Sequence, residues 1–150
     1  MAPKTAAKKG ASKAKPAKLN PSELKLLLGL KEKFTDINGK EHSLVPLTMA
    51  DQMDLEEEMK ASIEEIGADA ENFQGKDVLF ILWLSLRKEG LTADEIDAEQ
   101  WTHKSPRAVG NMFGPTVEGA TLMVNCFTAL MILSGYIDLD EKTGEVTRKN

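Results

Sequence analysis

A turn signal followed directly by a helix-start signal constrains the fold more than any other feature of this chain, and both lie within residues 34–58. Asn38-Gly39 is the dipeptide most typical of a two-residue type I′ turn, because both central residues of that turn need positive φ. Thr48 and Asp51 have the spacing of a helix N-cap and its N3 partner. The segment therefore predicts a short β-hairpin that runs directly into a helix.

Helix-capping residues and apolar spacing recur along the rest of the chain. The hairpin is expected over about 33–47, and Pro46 favours an edge position for its second strand. Helices are expected over 21–32, 49–66, 77–88, 92–100, 106–113 and 116–134. The pattern indicates a mainly α fold, a small helical domain with a short N-terminal β-hairpin.

Two of these segments are apolar enough to form the core. The centre of 77–88 is apolar on all sides, which favours a helix buried on most sides, with a buried strand as the alternative for so short a run. Residues 116–134 have only a narrow polar stripe and are predicted to form the central core helix. Residues 136–150 predict either a weak strand pair or a frayed end.

The predicted helix over 49–66 combines a partly apolar face with an acidic one. Seven acidic residues between Asp51 and Glu65 favour a solvated face, with an acidic docking surface for a basic partner as the alternative. The apolar positions are Met49, Met53, Met59, Ile63 and Ile66.

The first 18 residues differ in charge from the rest of the chain. They hold six lysines and no acidic residue, for a charge of +6, whereas the remainder carries −11. Their Lys, Ala and Pro content predicts a disordered basic arm, ahead of a single mostly helical domain over 19–150. A flexible basic arm can bind nucleic acid through counterion release. This arm lacks interleaved aromatic residues and arginines and is attached to an acidic domain, which favours a solubilising tail, a linker or a protein-docking arm instead. The candidate phosphate contacts are Lys8, Lys9, Lys13 and Lys15.

Residue spacings typical of catalytic or cofactor sites are missing from the sequence. The Gly-Lys pairs at 39–40 and 75–76 lack the earlier glycine and the following Ser or Thr of a phosphate-binding loop. Cys126 lies in a very apolar segment and is expected to be a buried small hydrophobe rather than a nucleophile. His42 and His103 are far apart in sequence and have no ligand-spaced partners. We therefore expect no enzyme activity, no cofactor and no metal.

Cysteine content and hydropathy bound the compartment. A single cysteine excludes an intrachain disulfide, which fits a reducing compartment. The basic start of the chain is not followed by the apolar stretch of a signal peptide. The longest near-apolar run, 120–133, is too short to span a bilayer.

The order of several short motifs resembles the tail assembly chaperones of long-tailed bacteriophages. In that family a small hairpin precedes a helical body that contains a Leu-Trp-x-x-Leu-Arg stretch and then Leu-Thr-x-x-Glu. The resemblance covers about residues 34–100 and depends on Gly39-Lys40-Glu41, the Leu-x-Pro-Leu-Thr-x-x-Asp motif at 44–51, Leu-Glu-Glu-Glu at 55–58, 82–87 and 90–92.

The resemblance implies a non-enzymatic protein in the cytoplasm of the bacterial host. Such chaperones bind the long helical tape measure protein, keep it soluble and help to recruit tail tube subunits. Helix-in-groove contacts would suit this task. The alternative is a nucleic-acid-associated or structural virion protein that uses the basic arm. The residues expected to bind the partner are Met49, Met53, Met59, Ile63, Leu82, Trp83 and Leu86.

Overall fold

The computed structural model describes residues 17–18, 33–69, 72–139 and 145–148, and helices dominate them, which confirms the mainly α prediction. The helix predicted over 21–32 and the candidate phosphate contacts lie outside these residues. The helices are α1 (Met49–Met59), α2 (Ile63–Ala68), α3 (Gly75–Leu86), α4 (Ala93–Asp97), α5 (Pro106–Gly110) and α6 (Val117–Leu133). The strands are β1 (Ala17–Lys18), β2 (Lys33–Thr35), β3 (Glu41–Ser43), β4 (Ile137–Leu139) and β5 (Glu145–Arg148).

Helix α3 lies at the centre of the core, where α1, α5 and α6 pack against it. Leu82, Leu84 and Leu86 of α3 are fully buried although they point in different directions around its axis. Gly75–Leu86 forms an α-helix, which confirms the helix rather than the strand alternative. Cys126 and Leu130 of α6 belong to the same cluster and are also fully buried. Each buried leucine contributes roughly 1.5–3 kcal/mol, so α3 and α6 supply much of the stability.

The hairpin forms, but it is shorter than predicted. β2 and β3 pair antiparallel with Phe34 opposite His42. β3 ends at Ser43, so Pro46 lies beyond the strand. In the segment after β3, two backbone N–H groups donate to serine hydroxyls rather than to a neighbouring strand. The backbone N–H of Val45 donates to Ser85 Oγ at 2.8 Å, and that of Leu47 donates to Ser134 Oγ at 2.9 Å.

The turn of the hairpin also differs from the predicted type I′ turn. Gly39 has a φ of 82°, but Asn38 is not among the residues with positive φ. The Gly39 N–H donates to the carbonyl oxygen of Asp36 at 3.0 Å. The Asp36 carboxylate accepts from the backbone N–H groups of Asn38 and Lys40 at 2.8 and 3.0 Å. The type I′ prediction is wrong because this carboxylate closes a five-residue loop that needs only one left-handed residue.

A break at 60–62 divides the acidic segment that was predicted as one helix. Lys60 adopts a left-handed conformation with φ 56° and ends α1. Ser62 then caps α2, because its hydroxyl accepts from the Glu65 N–H at 3.3 Å while the Glu65 carboxylate accepts from the Ser62 N–H at 2.9 Å. These two bonds lower the pKa of Glu65. The single-helix prediction is wrong because the Ser-x-x-Glu capping box starts a second helix.

Helix α6 begins directly against the loop that precedes it. The Thr116 hydroxyl caps the helix by accepting from the Gly119 N–H at 3.1 Å. A methyl group at Gly119 would lie 2.0 Å from the carbonyl oxygen of Gly114. Glycine is therefore required where α6 passes the loop.

The C-terminal strands form a second small sheet. β5 lies between β1 and β4, and both pairings are antiparallel, so the strand-pair alternative for this segment is the one observed. Residues 17–18, assigned by sequence to the end of the arm, form β1. Within the described ranges, no helix combines the length and apolar character needed to cross a bilayer.

Candidate functional site

An apolar cavity of about 780 Å³ lies among α1, α2, α3, α6 and the start of β4. Its walls include Leu55 of α1, Ile81 of α3 and Phe127 of α6. Its few polar neighbours are Gln52, Glu64, Thr128 and Tyr136. A cavity of this volume is within the range of about 300–1,000 Å³ that is usual for binding sites. We call it the α1–α6 cavity.

Two methionines project from α1 beside this cavity. Met49 and Met53 are 67% and 63% exposed. They are four positions apart in sequence, so they lie one above the other on the same side of the helix. Gln52, their neighbour on α1, lines the α1–α6 cavity. The methionine pair therefore adds exposed apolar surface next to an apolar recess.

The other predicted partner-binding residues differ in accessibility. Met59 and Ile63 are half-buried, and Ile63 also lines the α1–α6 cavity. Leu82 and Leu86 are fully buried in α3 and cannot reach a partner in this fold. Their inclusion among the binding residues is wrong, because the apolar run that contains them forms the core.

Asp51 is buried, so the prediction of a solvated acidic face is wrong at this residue. It is confirmed at the five exposed acidic residues, which are Asp54, Glu57, Glu58, Glu64 and Glu65. Asp51 is 2% exposed. Its Oδ1 accepts from Arg87 Nη2 at 2.9 Å, and its Oδ2 accepts from Lys88 Nζ and from the Thr48 N–H. Lys88 Nζ also donates to the carbonyl oxygen of Pro46 at 2.7 Å. One carboxylate therefore completes the predicted helix cap and joins α1 to the end of α3.

Arg87 extends this ionic cluster into a stack of aromatic rings. Its Cζ lies 4.8 Å from the centroid of the Trp83 ring and 4.0 Å from that of Trp101. Arg87 Nη2 also donates to Asp54 at 2.7 Å, where the carboxylate is 53% exposed. Trp83 is half-buried, and its Nε1–H donates to the carbonyl oxygen of His103 at 2.9 Å. The predicted partner residue Trp83 is therefore engaged in intramolecular contacts.

The fold brings both histidines to a single carboxylate. Glu89 Oε1 lies 3.1 Å from His42 Nδ1 and 3.3 Å from His103 Nε2. The other oxygen of Glu89 accepts from the backbone N–H of Ser43 at 2.6 Å. Sequence reasoning missed this convergence because 47 residues separate His42 from Glu89. The three ligand-type atoms lie within 4.8 Å of one another.

Asp36 completes the surroundings of His42. Its Oδ2 lies 2.7 Å from His42 Nε2, and both side chains are almost completely buried. Burial alone would raise the pKa of Asp36. The hydrogen bonds from His42, Lys40 and Asn38 outweigh that effect and hold the pKa of Asp36 below its usual value. Asp36 therefore remains a carboxylate, and its Oδ2 can accept a hydrogen bond from the Nε2–H group of the His42 imidazole.

Two further titratable groups lie near the cavity. Cys126 is fully buried, and burial raises the pKa of its thiol to about 12, so it is a protonated core side chain. Burial, followed by the charges of Asp51 and Glu56, raises the pKa of Tyr136. The Tyr136 hydroxyl donates to Gln52 at 3.3 Å.

Comparison with known proteins gives no relative. No family model, curated protein or solved structure matches this chain.

The motifs behind the tail-chaperone resemblance are linked in space. Asp51, from the motif at 44–51, contacts Arg87 from the motif at 82–87. Thr92, from the motif at 90–92, caps α4 through a bond from the Glu95 N–H at 3.2 Å. Residues of these motifs therefore form an ionic contact between α1 and the residue that follows α3, and they also cap helices locally.

Proposed function

We propose that this protein is a non-enzymatic tail assembly chaperone that binds an amphipathic helix of the tape measure protein and assists assembly of the tail tube. The observation that carries the proposal is the exposed pair Met49 and Met53 beside the α1–α6 cavity. Methionine side chains are flexible and polarizable, and they suit surfaces that adapt to varied apolar partners. A partner helix would lie along α1 and place its largest apolar side chains in the cavity.

The lining of the cavity supports an apolar occupant. The cavity is partly open to solvent, so water contacts its mostly apolar lining. Apolar side chains from a partner would replace water against Leu55, Ile81 and Phe127.

Charge around the cavity favours one kind of helix. Glu64 lines the cavity and is exposed. A helix with an apolar stripe and a flanking Lys or Arg would meet complementary charge at Glu64. Such a helix would aggregate if its stripe stayed exposed, which is the difficulty that a chaperone of a long helical protein must solve.

Co-expression tests the proposal. The full chain should keep a tape measure fragment soluble that is insoluble when expressed alone. The double substitution Met49→Asp and Met53→Asp should abolish the rescue, because burial of two methionines accounts for about 3 kcal/mol, or roughly 100-fold in affinity.

A matched control separates this surface from general surface chemistry. Val117 is 79% exposed at the start of α6, and Val117→Asp places an acid in a first helical turn, where it is favourable. This variant should rescue the fragment as well as the original chain. The proposal fails if the original chain gives no rescue, or if the methionine variant rescues equally well.

A further inference from the structure

We propose that His42, Glu89 and His103 form a binding site for a divalent transition metal, with Zn²⁺ as the best fit. The donor set is two imidazole nitrogens and one carboxylate oxygen, which is a common zinc combination. The three residues come from separate segments: His42 from β3, Glu89 from just after α3, and His103 from the loop before α5. A bound ion would join these segments at one point.

The distances suit one ion. Two ligand atoms that each lie about 2.0–2.1 Å from zinc in tetrahedral geometry are about 3.3 Å apart. Glu89 Oε1 lies 3.1 Å from His42 Nδ1 and 3.3 Å from His103 Nε2. The two nitrogens lie within 4.8 Å of each other and would have to approach by at most about 1.5 Å.

The orientation of His42 is set by Asp36. Asp36 Oδ2 is an acceptor 2.7 Å from His42 Nε2, so Nε2 carries a proton and donates it. The lone pair of Nδ1 then faces Glu89 Oε1, which is also an acceptor. A proton on Nδ1 or a metal ion bound to it can lie between these two atoms, and the 3.1 Å separation fits either. A carboxylate that accepts from the non-ligating nitrogen is the usual second partner of a metal-binding histidine.

Other contacts hold the remaining ligands in place. Ser43 N–H donates to Glu89 Oε2 at 2.6 Å, which leaves Oε1 for the site. The Thr102 hydroxyl donates to the Glu89 carbonyl at 2.6 Å, and Trp83 Nε1–H donates to the His103 carbonyl at 2.9 Å. The side chains of Glu89 and His103 are 17% and 15% exposed, so an ion can enter and a water can take the fourth position.

Charge also favours a cation. The side chains of Asp36 and Glu89 place two carboxylates beside His42. Lys88, the neighbouring cation in sequence, is directed to Asp51 and Pro46 instead. A divalent ion balances the two carboxylates.

Metal titration of the full chain, without a polyhistidine tag and after treatment with a chelator, tests the site. Calorimetry with Zn²⁺ should give one ion per chain with a micromolar or tighter Kd. Co²⁺ should give the visible absorption of a tetrahedral N/O site. Free Zn²⁺ at about 100 times Kd should raise Tm by roughly 5–10 °C.

Three variants locate the binding. His103→Ala should weaken Zn²⁺ binding at least about 100-fold and remove the Tm increase. Asp36→Asn should weaken it about 10–100-fold, because it loosens the orientation of His42. Glu58→Gln, at an exposed carboxylate on α1, should bind as the original chain does.

Folding of each metal-free variant is checked by far-UV circular dichroism, and Glu89→Gln replaces His103→Ala if the latter does not fold. The inference is overturned if the original chain binds no stoichiometric Zn²⁺, or if folded variants of His103 or Glu89 bind it equally. Because no tape measure fragment is present, either result leaves the chaperone proposal untouched.

Discussion

On one side of α1, Asp51 is buried and contacts Thr48, Arg87 and Lys88, whereas on another side Met49 and Met53 contact solvent. Asp51, Met49 and Met53 therefore depart from the usual pattern of a surface helix. Leu55, buried on α1, and Glu57 and Glu58, exposed on it, follow that pattern. The buried side has its partners within the chain. The exposed side has apolar surface without partners among the described residues. The difference indicates that α1 is anchored through charge and available for contact through its methionines.

The largest expected effect comes from removing the anchor. Asp51→Ala would leave buried Lys88 without a carboxylate and Arg87 with only the half-exposed Asp54, and we expect a loss of about 3–5 kcal/mol in the free energy of unfolding. Urea denaturation followed by circular dichroism measures it. Asp54→Ala, which removes the half-exposed partner of the same Arg87, should cost less than about 1 kcal/mol. Equal losses in the two variants would show that burial of Asp51 does not matter.

A smaller effect is expected from the aromatic stack that supports the anchor. Trp101→Leu keeps an apolar side chain but removes the ring 4.0 Å from Arg87 Cζ. We expect a loss of about 1–2 kcal/mol, since the cation–π contact is partly desolvated. Gln100→Ala, at the adjacent exposed residue, should change stability by less than about 0.5 kcal/mol. If Trp101→Leu leaves the free energy of unfolding unchanged, the carboxylates alone hold Arg87 in place.

Stability at alkaline pH tests the packing of the core around Cys126. The pKa of Cys126 is about 12 in the folded chain against a reference value of 9.0, so its stabilising contribution is complete below pH 9 and is lost as pH rises towards 12. Between pH 9 and 10 this loss is roughly 1 kcal/mol. The stability of the original chain should therefore fall more steeply over this interval than that of Cys126→Ala. Parallel curves would mean that water reaches the thiol in the folded state.

The smallest effect on stability is expected on the exposed side of α1. Met49→Ala and Met53→Ala should each change the free energy of unfolding by less than about 0.5 kcal/mol. Thermal denaturation checks this. Destabilisation by more than about 1 kcal/mol would show that the methionines pack within the chain and would weaken the contrast between the two sides.

Local signals made much of the fold predictable. The capping box at Thr48 and Asp51 and the one at Thr92 and Glu95 both form, and each depends on residues only three positions apart. The second start at Ser62 has the same kind of signal, but the apolar spacing across it favoured one continuous helix. Local capping overrode periodicity there, so α1 and α2 were predicted as one element.

The candidate sites were less predictable because their contacts are distant in sequence. Asp51 and Arg87 are 36 residues apart, and the acid at 51 already had a local explanation as a cap residue. His42 and Glu89 are 47 residues apart. One available signal was the run Arg87, Lys88 and Glu89 immediately after the most apolar helix, because charges at the end of a buried segment need partners nearby.

These three consecutive residues give the chain one position that is intolerant of length changes. Arg87 reaches α1 and Trp101, Lys88 reaches Asp51 and Pro46, and Glu89 reaches both histidines. Each residue added to a helix rotates the side chains after it by about 100°. A single insertion after Leu86 would redirect all three side chains at once, so homologous chains should vary in length elsewhere before they vary here.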